Sequence, residues 1–377
     1  MNETLYKLAD LGQSVWFDDI NREAIVSGKL DKLIAEYNVT GGTSNPSIFE
    51  KAFSSSSAYD DQFRQIAQHI SSPEGIQDML ALTDVQMAAD RFRSVFDRTG
   101  GDDGYVSLEV APTYANDAEA TISETRRLFA ALDRPNVMIK IPGTPAGIAA
   151  AETCLSEGIN VNITLLFSVE SYELVAEAYL RALEKRVAAG QPINGIASVA
   201  SFFVSRVDTM ADDRLSALAD KAPTPERKAD ILALRGKLGV ANAKLAYQKY
   251  LGITTSERWR KLAESGAQPQ RCLWASTSTK NAAYSDVLYV DQLIGTETVN
   301  TLPEDTLYFF AGHGAAAETL TEGIDEAHAL TSALAGAGLD VATMTRDLQV
   351  EGVDKFARSY EDALKAIKDR SQSVGVS

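Results

Sequence analysis

The sequence predicts an α/β protein, a (β/α)8 barrel of the TIM type with additional helices, and three observations carry that expectation. Eight short runs rich in apolar and β-branched residues recur near Val15, Val39, Val106, Val137, Ile159, Ile196, Leu273 and Val299, separated by segments of helical periodicity. Polar residues that are costly to bury gather toward the C-terminal ends of these runs, the face on which such barrels place their chemistry. No linker, repeat or low-complexity stretch divides the 377 residues. Residues 1–377 are therefore expected to form one barrel domain, with a helical elaboration at about 212–266 and C-terminal helices at about 320–368.

Val15-Trp16-Phe17 is an apolar run ending in Asp18-Asp19, and Asn21 is placed to cap a helix expected to continue through Ile25, Leu30, Leu33 and Ile34 to Tyr37. The second strand, at Val39, leads into the small-residue turn Thr43-Ser44-Asn45-Pro46-Ser47, where Asn45 suits a helix cap and Pro46 a first helical turn. Apolar residues between Phe53 and Phe96 recur at three and four and predict helices. The third strand, Tyr105 to Val110, is interrupted by Glu109, a charge where an apolar side chain would be cheaper to bury.

After a helix containing Glu119, Glu124 and Arg127, Val137-Met138-Ile139 forms the fourth strand and ends in Lys140. Pro142-Gly143-Thr144-Pro145 stops that strand and opens a helix ending near Gly158. Residues 159–166 alternate at period two, which puts Asn160, Asn162 and Thr164 on one face, expected to point at the barrel axis. A helix is predicted over about 169–189 and a strand over 193–201; the next helix then starts close to Arg206. The 212–266 region is charged and strongly helical, with Pro223 and Pro225 as punctuation. Strands resume at Cys272 to Ser276, and Thr277-Ser278-Thr279-Lys280-Asn281 is a donor-rich turn suited to an anion. Thr298-Val299-Asn300 is the eighth strand. Segments near 320–334 and 353–367 are expected to be closing helices, with Gly336-Ala337-Gly338 a loop and about 369–377 frayed.

Thirty-six Lys and Arg against 52 Asp and Glu leave a net charge of −16, which opposes binding to nucleic acid or an anionic membrane. A local basic cluster inside a cleft could still hold a small anion. Two cysteines, Cys154 and Cys272, offer no disulfide framework, and the first eleven residues lack the features of a signal peptide; a cytoplasmic location is expected. His69, His313 and His328 are scattered, so no metal site is expected.

An ammonium placed in an apolar, desolvated site is driven toward the neutral amine, which can attack a carbonyl and form a Schiff base. Lys140 is the candidate for that role; the alternative is a strand-end lysine whose stem reaches to water. Such chemistry also needs a group that moves protons, a polar wall and a substrate anchor. Asp18 and Glu109 supply carboxylates, Asn45, Asn162 and Thr164 polar groups, and Arg206 with the Ser276 to Lys280 turn a phosphate anchor. Taken singly, Asn45 and Asp18 also fit helix caps, Thr164 an ordinary strand residue and Arg206 a surface ion pair.

Three motifs, Thr43-Ser44-Asn45-Pro46-Ser47, Val137-Met138-Ile139-Lys140 and Gly158-Ile159-Asn160-Val161-Asn162-Ile163-Thr164-Leu165-Leu166-Phe167-Ser168, resemble the transaldolase family, most closely its longer bacterial members. The resemblance covers about residues 10–300. It implies a cofactor-free, Schiff-base enzyme of the pentose phosphate pathway. Such an enzyme moves a dihydroxyacetone unit from sedoheptulose 7-phosphate or fructose 6-phosphate to glyceraldehyde 3-phosphate or erythrose 4-phosphate. By the same resemblance Lys140 is the Schiff-base lysine, Asp18 the proton-transfer aspartate, and Glu109 with Thr164 the pair that positions a water. Asn45 and Asn162 would bind substrate hydroxyls, Ser201 would be a wall residue and Arg206 would hold phosphate. Alternation along the strand selects Asp18 over Asp19. One departure stands out: several relatives carry a second arginine after the seventh strand, where this chain offers Ser276 and Lys280.

The partners expected are small sugar phosphates, with assembly as a monomer or a homodimer left open. Alternatives to weigh are a simple Schiff-base aldolase, such as fructose-6-phosphate aldolase, and a catalytically silent barrel acting as a binding partner. Glu109 argues against the former, whose short members carry glutamine at that position. A metal-dependent aldolase is poorly supported by the scattered histidines.

Overall fold

In a computed structural model that describes residues 2–373, eight parallel strands close on themselves in chain order. They are β1 (Gln13–Phe17), β2 (Val39–Thr43), β3 (Val106–Glu109), β4 (Val137–Pro142), β5 (Val161–Leu166), β6 (Ser198–Phe203), β7 (Arg271–Ala275) and β8 (Thr298–Leu302), with β8 pairing back onto β1. This is the (β/α)8 barrel that the sequence predicts, and its closure leaves no strand edge unpaired.

Strand alternation sorts the side chains into two buried layers. Val137, Ile139 and Ile141 of β4 belong to the apolar layer shared with the surrounding helices, whereas Met138 belongs with Trp16, Val199, Leu273 and Val299. That second group fills the barrel from within, beneath the polar ends of the strands. Trp16 is its largest member, and Gly41 on the neighbouring strand makes room for it: a Cβ there would lie 2.6 Å from the indole Nε1. The indole N–H is satisfied by Asp103 Oδ1 at 2.7 Å.

Several boundaries differ from the sequence expectation. The helix expected to run unbroken from Asn21 to Tyr37 is two helices, Arg22–Val26 and Lys29–Tyr37, parted at Gly28, whose φ of +80° does not fit helical geometry. The fifth and sixth strands start later than 159 and 193. The Asn160 side chain accepts from the Ala197 amide at 2.9 Å, so strand pairing begins beyond those residues, and β6 extends to Phe203. In β5 the regular alternation fails past Ile163, where the register shifts and Leu165 has φ +60°.

At the C-terminal end, Gly336 and Ala337 are helical, within Ile324–Ala337, and Gly338 at φ +92° ends that helix. One helix then runs over Val341–Ser373 without fraying at 369–373, because the Arg370 guanidinium donates to the carbonyls of Phe53 and Ser56. Residues 374–377, included in the expected frayed tail, lie outside the described residues, as does Met1. Helices Glu3–Asp10 and Glu304–His313 were not anticipated. The 212–266 region holds the end of Ser205–Ala219 followed by Pro225–Leu232, Leu238–Thr254 and Glu257–Glu264. No described helix is long and apolar enough to cross a membrane.

The long C-terminal helix crosses the face of the barrel where the strands end. Gln349 Nε2 donates to Gly143 O at 2.8 Å, just after β4, and the hydroxyls of Ser359 and Ser47 meet at 2.7 Å. It therefore roofs the strand ends.

Trp16→Ala should cost about 3–5 kcal/mol, since a large ring inside a packed barrel leaves a cavity that the strands cannot close. Denaturant unfolding of the variant would measure it, and a loss below about 1 kcal/mol would show that the barrel interior does not depend on this ring.

Candidate active site

Parallel pairing brings the principal groups to one level. Glu109 on β3 is the register partner of Lys140 on β4, which is in turn the partner of Asn162 on β5. Lys140 is 4% exposed, and its Nζ lies 3.3 Å from Glu109 Oε2, with a longer 3.4 Å donation to Ser44 O. Neither Glu109 oxygen has a partner in good hydrogen-bond geometry, so the contact is an ion pair rather than a directed bond. Burial pushes the Glu109 carboxyl above the ordinary range, while the Lys140 charge pulls it back.

Asp18 follows β1 directly. Burial raises its pKa too, opposed first by Lys140, then by a hydrogen bond from Thr43, then by Arg206 and Lys280. Thr43 Oγ1 donates to Asp18 Oδ1 at 2.6 Å and also meets Thr301 Oγ1 at 2.7 Å. Asp19 points elsewhere, its carboxylate accepting from Asn21 Nδ2 at 2.9 Å, as strand alternation predicts.

A hydroxyl–amide relay crosses three strands: Ser201 Oγ donates to Asn162 Oδ1 at 2.6 Å, and Asn162 Nδ2 donates to Ser107 Oγ at 3.1 Å. The Thr164 hydroxyl is buried and has no protein partner. Asn45 does two things at once. Its Oδ1 accepts from the amides of Ser47 (3.0 Å) and Ile48 (3.1 Å), capping the helix Pro46–Ser55, yet the residue also lines the cavity.

That cavity, of about 190 Å³, opens at the strand ends and is bounded by Asp18, Asn45, Lys140, Ser201, Arg206, Ser276 and Lys280. Glu109, Asn162 and Thr164 stand behind this wall rather than on it. Arg206, in the first turn of the helix Ser205–Ala219, lies between two rings, 5.1 Å from the Phe203 centroid and 5.8 Å from that of Phe356. Burial lowers its pKa from the ordinary arginine value. Ser276 has a left-handed backbone, φ +56°, and its hydroxyl meets that of Ser205 at 2.9 Å. Lys280 Nζ donates to Ser278 Oγ at 2.5 Å.

The wall also holds residues that were not singled out as site candidates in the sequence, among them Thr43, Phe203, Thr301, Lys355 and Phe356. Thr43 sits within a quoted motif and Phe203 beside Arg206, so both carried some signal. Lys355 and Phe356 lie on the C-terminal helix, where a Lys-Phe pair looks like any solvated residue next to any core residue. The Phe356 ring also lies 5.9 Å from Lys140 Nζ.

The arrangement offers a buried amine beside one carboxylate and lining one cavity with another, with a polar wall and cations beyond. Those are the parts of a carbonyl-attacking site. Among the described residues no group of three His, Cys, Asp or Glu side chains is placed to hold a metal ion.

Asn162→Leu should destabilise the protein by about 1–3 kcal/mol, because the Ser201 hydroxyl loses its acceptor and Ser107 its donor inside the barrel. An unchanged urea midpoint would mean that the relay contributes nothing to stability.

Comparison with known proteins follows the same outline. The profile of the transaldolase/fructose-6-phosphate aldolase family matches residues 15–367. A protein named transaldolase from Trichodesmium erythraeum is 44% identical over 372 residues, covering 98% of this chain and 98% of the relative. One of that name from Thermobifida fusca is 45% identical over 368 residues, 97% of this chain and 98% of the relative. Transaldolase 1 of Streptomyces avermitilis is 46% identical over 375 residues, 99% and 97%. The similarity thus extends well past residue 300, where the motif resemblance ended, and takes in most of the C-terminal helix.

Proposed function

The chain belongs to the transaldolase/fructose-6-phosphate aldolase family, and from that premise we propose that Lys140 carries the transferred unit as a Schiff base, with Asp18 and Glu109 in separate roles. The activity is that of a transaldolase: a dihydroxyacetone unit passes from a ketose phosphate to an aldose phosphate. The observation that supports the residue assignment is the placement of a 4% exposed lysine in register with Glu109 and on the same cavity wall as Asp18.

The neutral Lys140 amine adds to the C2 carbonyl of the ketose, and the carbinolamine loses its oxygen as water to leave an iminium. Asp18, as carboxylate, accepts the proton of the C4 hydroxyl while the C3–C4 bond breaks. The bonding pair passes into the iminium as an enamine, and the aldose phosphate departs. Addition to the second aldehyde reverses these steps, and water then releases the product ketose. Glu109, with the buried Thr164 hydroxyl, serves the proton and water traffic of iminium formation and hydrolysis; its two oxygens, ion-paired with Lys140 through Oε2 but without a directed hydrogen bond, suit that work. Asn45, Asn162 and Ser201 face or support the sugar hydroxyls, directly or through the relay. Arg206 with Ser276 and Lys280 holds phosphate.

The same family description also names fructose-6-phosphate aldolase. A carboxylate at Glu109 and near-full-length similarity to proteins named transaldolase favour transfer over simple cleavage. The preferred pairs are sedoheptulose 7-phosphate or fructose 6-phosphate with glyceraldehyde 3-phosphate or erythrose 4-phosphate, which assigns the enzyme to the non-oxidative pentose phosphate pathway. Two free, buried cysteines, Cys154 and Cys272, are in keeping with a reducing cytoplasm.

Borohydride added with fructose 6-phosphate should fix the sugar to Lys140, a site readable by peptide mass spectrometry; labelling of another lysine, or none, sinks the mechanism. Asp18→Asn should still form this adduct yet release glyceraldehyde 3-phosphate at least about a hundredfold more slowly in a single turnover. Glu109→Gln should instead slow the appearance of the adduct. Normal cleavage by the first, or normal adduct formation by the second, would dissolve the division of labour.

The pH profile tests Asp18 independently. Cleavage needs the ionised carboxylate, so a raised pKa moves the acid limb of kcat above the ordinary aspartate range, and activity falls as pH drops through it. Thr43→Val removes the hydrogen bond that stabilises the anion and should move the limb to still higher pH. A limb that stays in place or shifts downward would assign it to another group.

A further inference from the structure

We propose that Lys355, on the C-terminal helix, is a third cation of the phosphate site and takes the place of the second arginine that this chain lacks after β7. The inference rests on the sugar-phosphate reading above and concerns which residues carry it out.

Arg206, Lys280 and Lys355 reach the same cavity from three separate elements: the helix after β6, the turn after β7 and the long helix Val341–Ser373. Among the described residues, no carboxylate lies within 4.0 Å of any of the three cationic groups. Elsewhere this acidic chain pairs its cations readily; Arg181 and Arg258 each bridge two glutamates. Three positive charges gathered at one cavity, none in a salt bridge and with Asp18 the one carboxylate on its wall, call for an anion from outside the protein. The Arg206 charge is the first cause that lowers the Lys355 pKa, ahead of burial, Lys280 and Arg358, and Arg206 also lowers that of Lys280.

The helix fixes Lys355 in place. Ser359, one turn further on and so on the same face, is joined by its hydroxyl to that of Ser47, itself on the cavity wall. The adjacent Phe356 covers the Arg206 guanidinium. A phosphate monoester held this way would have a fork-shaped donor in Arg206 and point charges in Lys280 and Lys355, which tolerate a wider range of phosphate positions than a second arginine would. A ligand of that class explains why a helix so far along the chain presents a lysine, rather than a carboxylate or an apolar group, to the mouth of the barrel.

The test uses the full chain with Lys355→Ala, Lys355→Arg and Lys280→Ala. For Lys355→Ala, KM for fructose 6-phosphate should rise about tenfold with kcat within about twofold of wild type. Turnover of unphosphorylated fructose should fall far less than that of fructose 6-phosphate, and Lys355→Arg should restore most of the loss. Inorganic phosphate, titrated calorimetrically against each protein, should bind the alanine variant about tenfold more weakly. A melting temperature equal to wild type separates lost contact from lost structure. Unchanged KM and unchanged phosphate binding in Lys355→Ala, with both weakened in Lys280→Ala, would overturn the proposal and leave Lys280 as the sole replacement. Equal losses for fructose and fructose 6-phosphate would overturn it as well, by making Lys355 a structural residue. Absence of a trapped Lys140 adduct in wild type would defeat the Schiff-base reading separately, since the phosphate titration decides Lys355 without any turnover.

Discussion

The ion pair between Lys140 and Glu109 is the contact around which the site is built, and it is poorly explained by stability. Two charges with side chains 6% and 3% exposed have given up most of their hydration. The attraction between them roughly offsets that loss at best, whereas removing one partner typically costs about 3–5 kcal/mol. An apolar pair at these two positions would fill the barrel as well. What the charged pair provides is an amine and a carboxylate held in strand register, with the lysine charge opposing the burial that raises the carboxyl's pKa. The apolar layer of Trp16, Met138, Leu273 and Val299 beneath them supports that arrangement from below.

Around the pair, charge is distributed by burial rather than by count. The surface is strongly acidic, yet the cavity is bounded by four cations, Lys140, Arg206, Lys280 and Lys355, and by a single carboxylate, Asp18. Low-dielectric walls focus the field of those cations on the space between them, so an anionic substrate meets an attractive interior despite a repulsive exterior. Asp18 has two neighbourhoods to reconcile. Desolvation favours its neutral form, and the cations with the Thr43 hydroxyl favour the anion. In its proposed role as proton acceptor, a carboxylate poised between these tendencies is better suited to reversible transfer than a fully solvated aspartate, whose anion holds a proton only weakly.

Much of this was legible in the sequence because it is local. The strand runs near Val15, Val39, Val106, Val137, Leu273 and Val299 and the polar residues at their ends declare themselves through alternation and through the cost of burying a charge such as Glu109. Boundaries were less legible where a side chain replaces a backbone partner, as Asn160 does for the Ala197 amide, or where one glycine breaks a helix, as at Gly28. Asn45 shows why single residues read ambiguously: its oxygen caps a helix while the residue also borders the cavity, where the proposed substrate contact would be made. Lys355 and Phe356 could not be read at all. Their relation to Arg206 depends on a helix roughly 150 positions away folding back over the barrel, a non-local contact that no periodicity encodes.

That helix changes how the site's dryness is to be understood. The barrel alone surrounds Lys140 laterally, with β3 and β5 on either side, but its C-terminal face would be open above the strand ends. The Phe356 ring, within 5.9 Å of the amine and 5.8 Å of the Arg206 guanidinium, closes part of that opening. Its position is held by the Gln349 contact to Gly143 at one end and the Ser359 contact to Ser47 at the other. Both anchors sit just after strands that line the cavity, Gly143 after β4 and Ser47 beyond β2, so the roof is referenced to the strands that carry Lys140 and Thr43. In the proposed roles, water exclusion at Lys140 and the Lys355 charge at the phosphate end therefore share one helix. A displacement of this helix would at once hydrate the ion pair, uncover Arg206 and withdraw Lys355, so under the proposed roles occupancy of the phosphate end is coupled to the dryness around the amine.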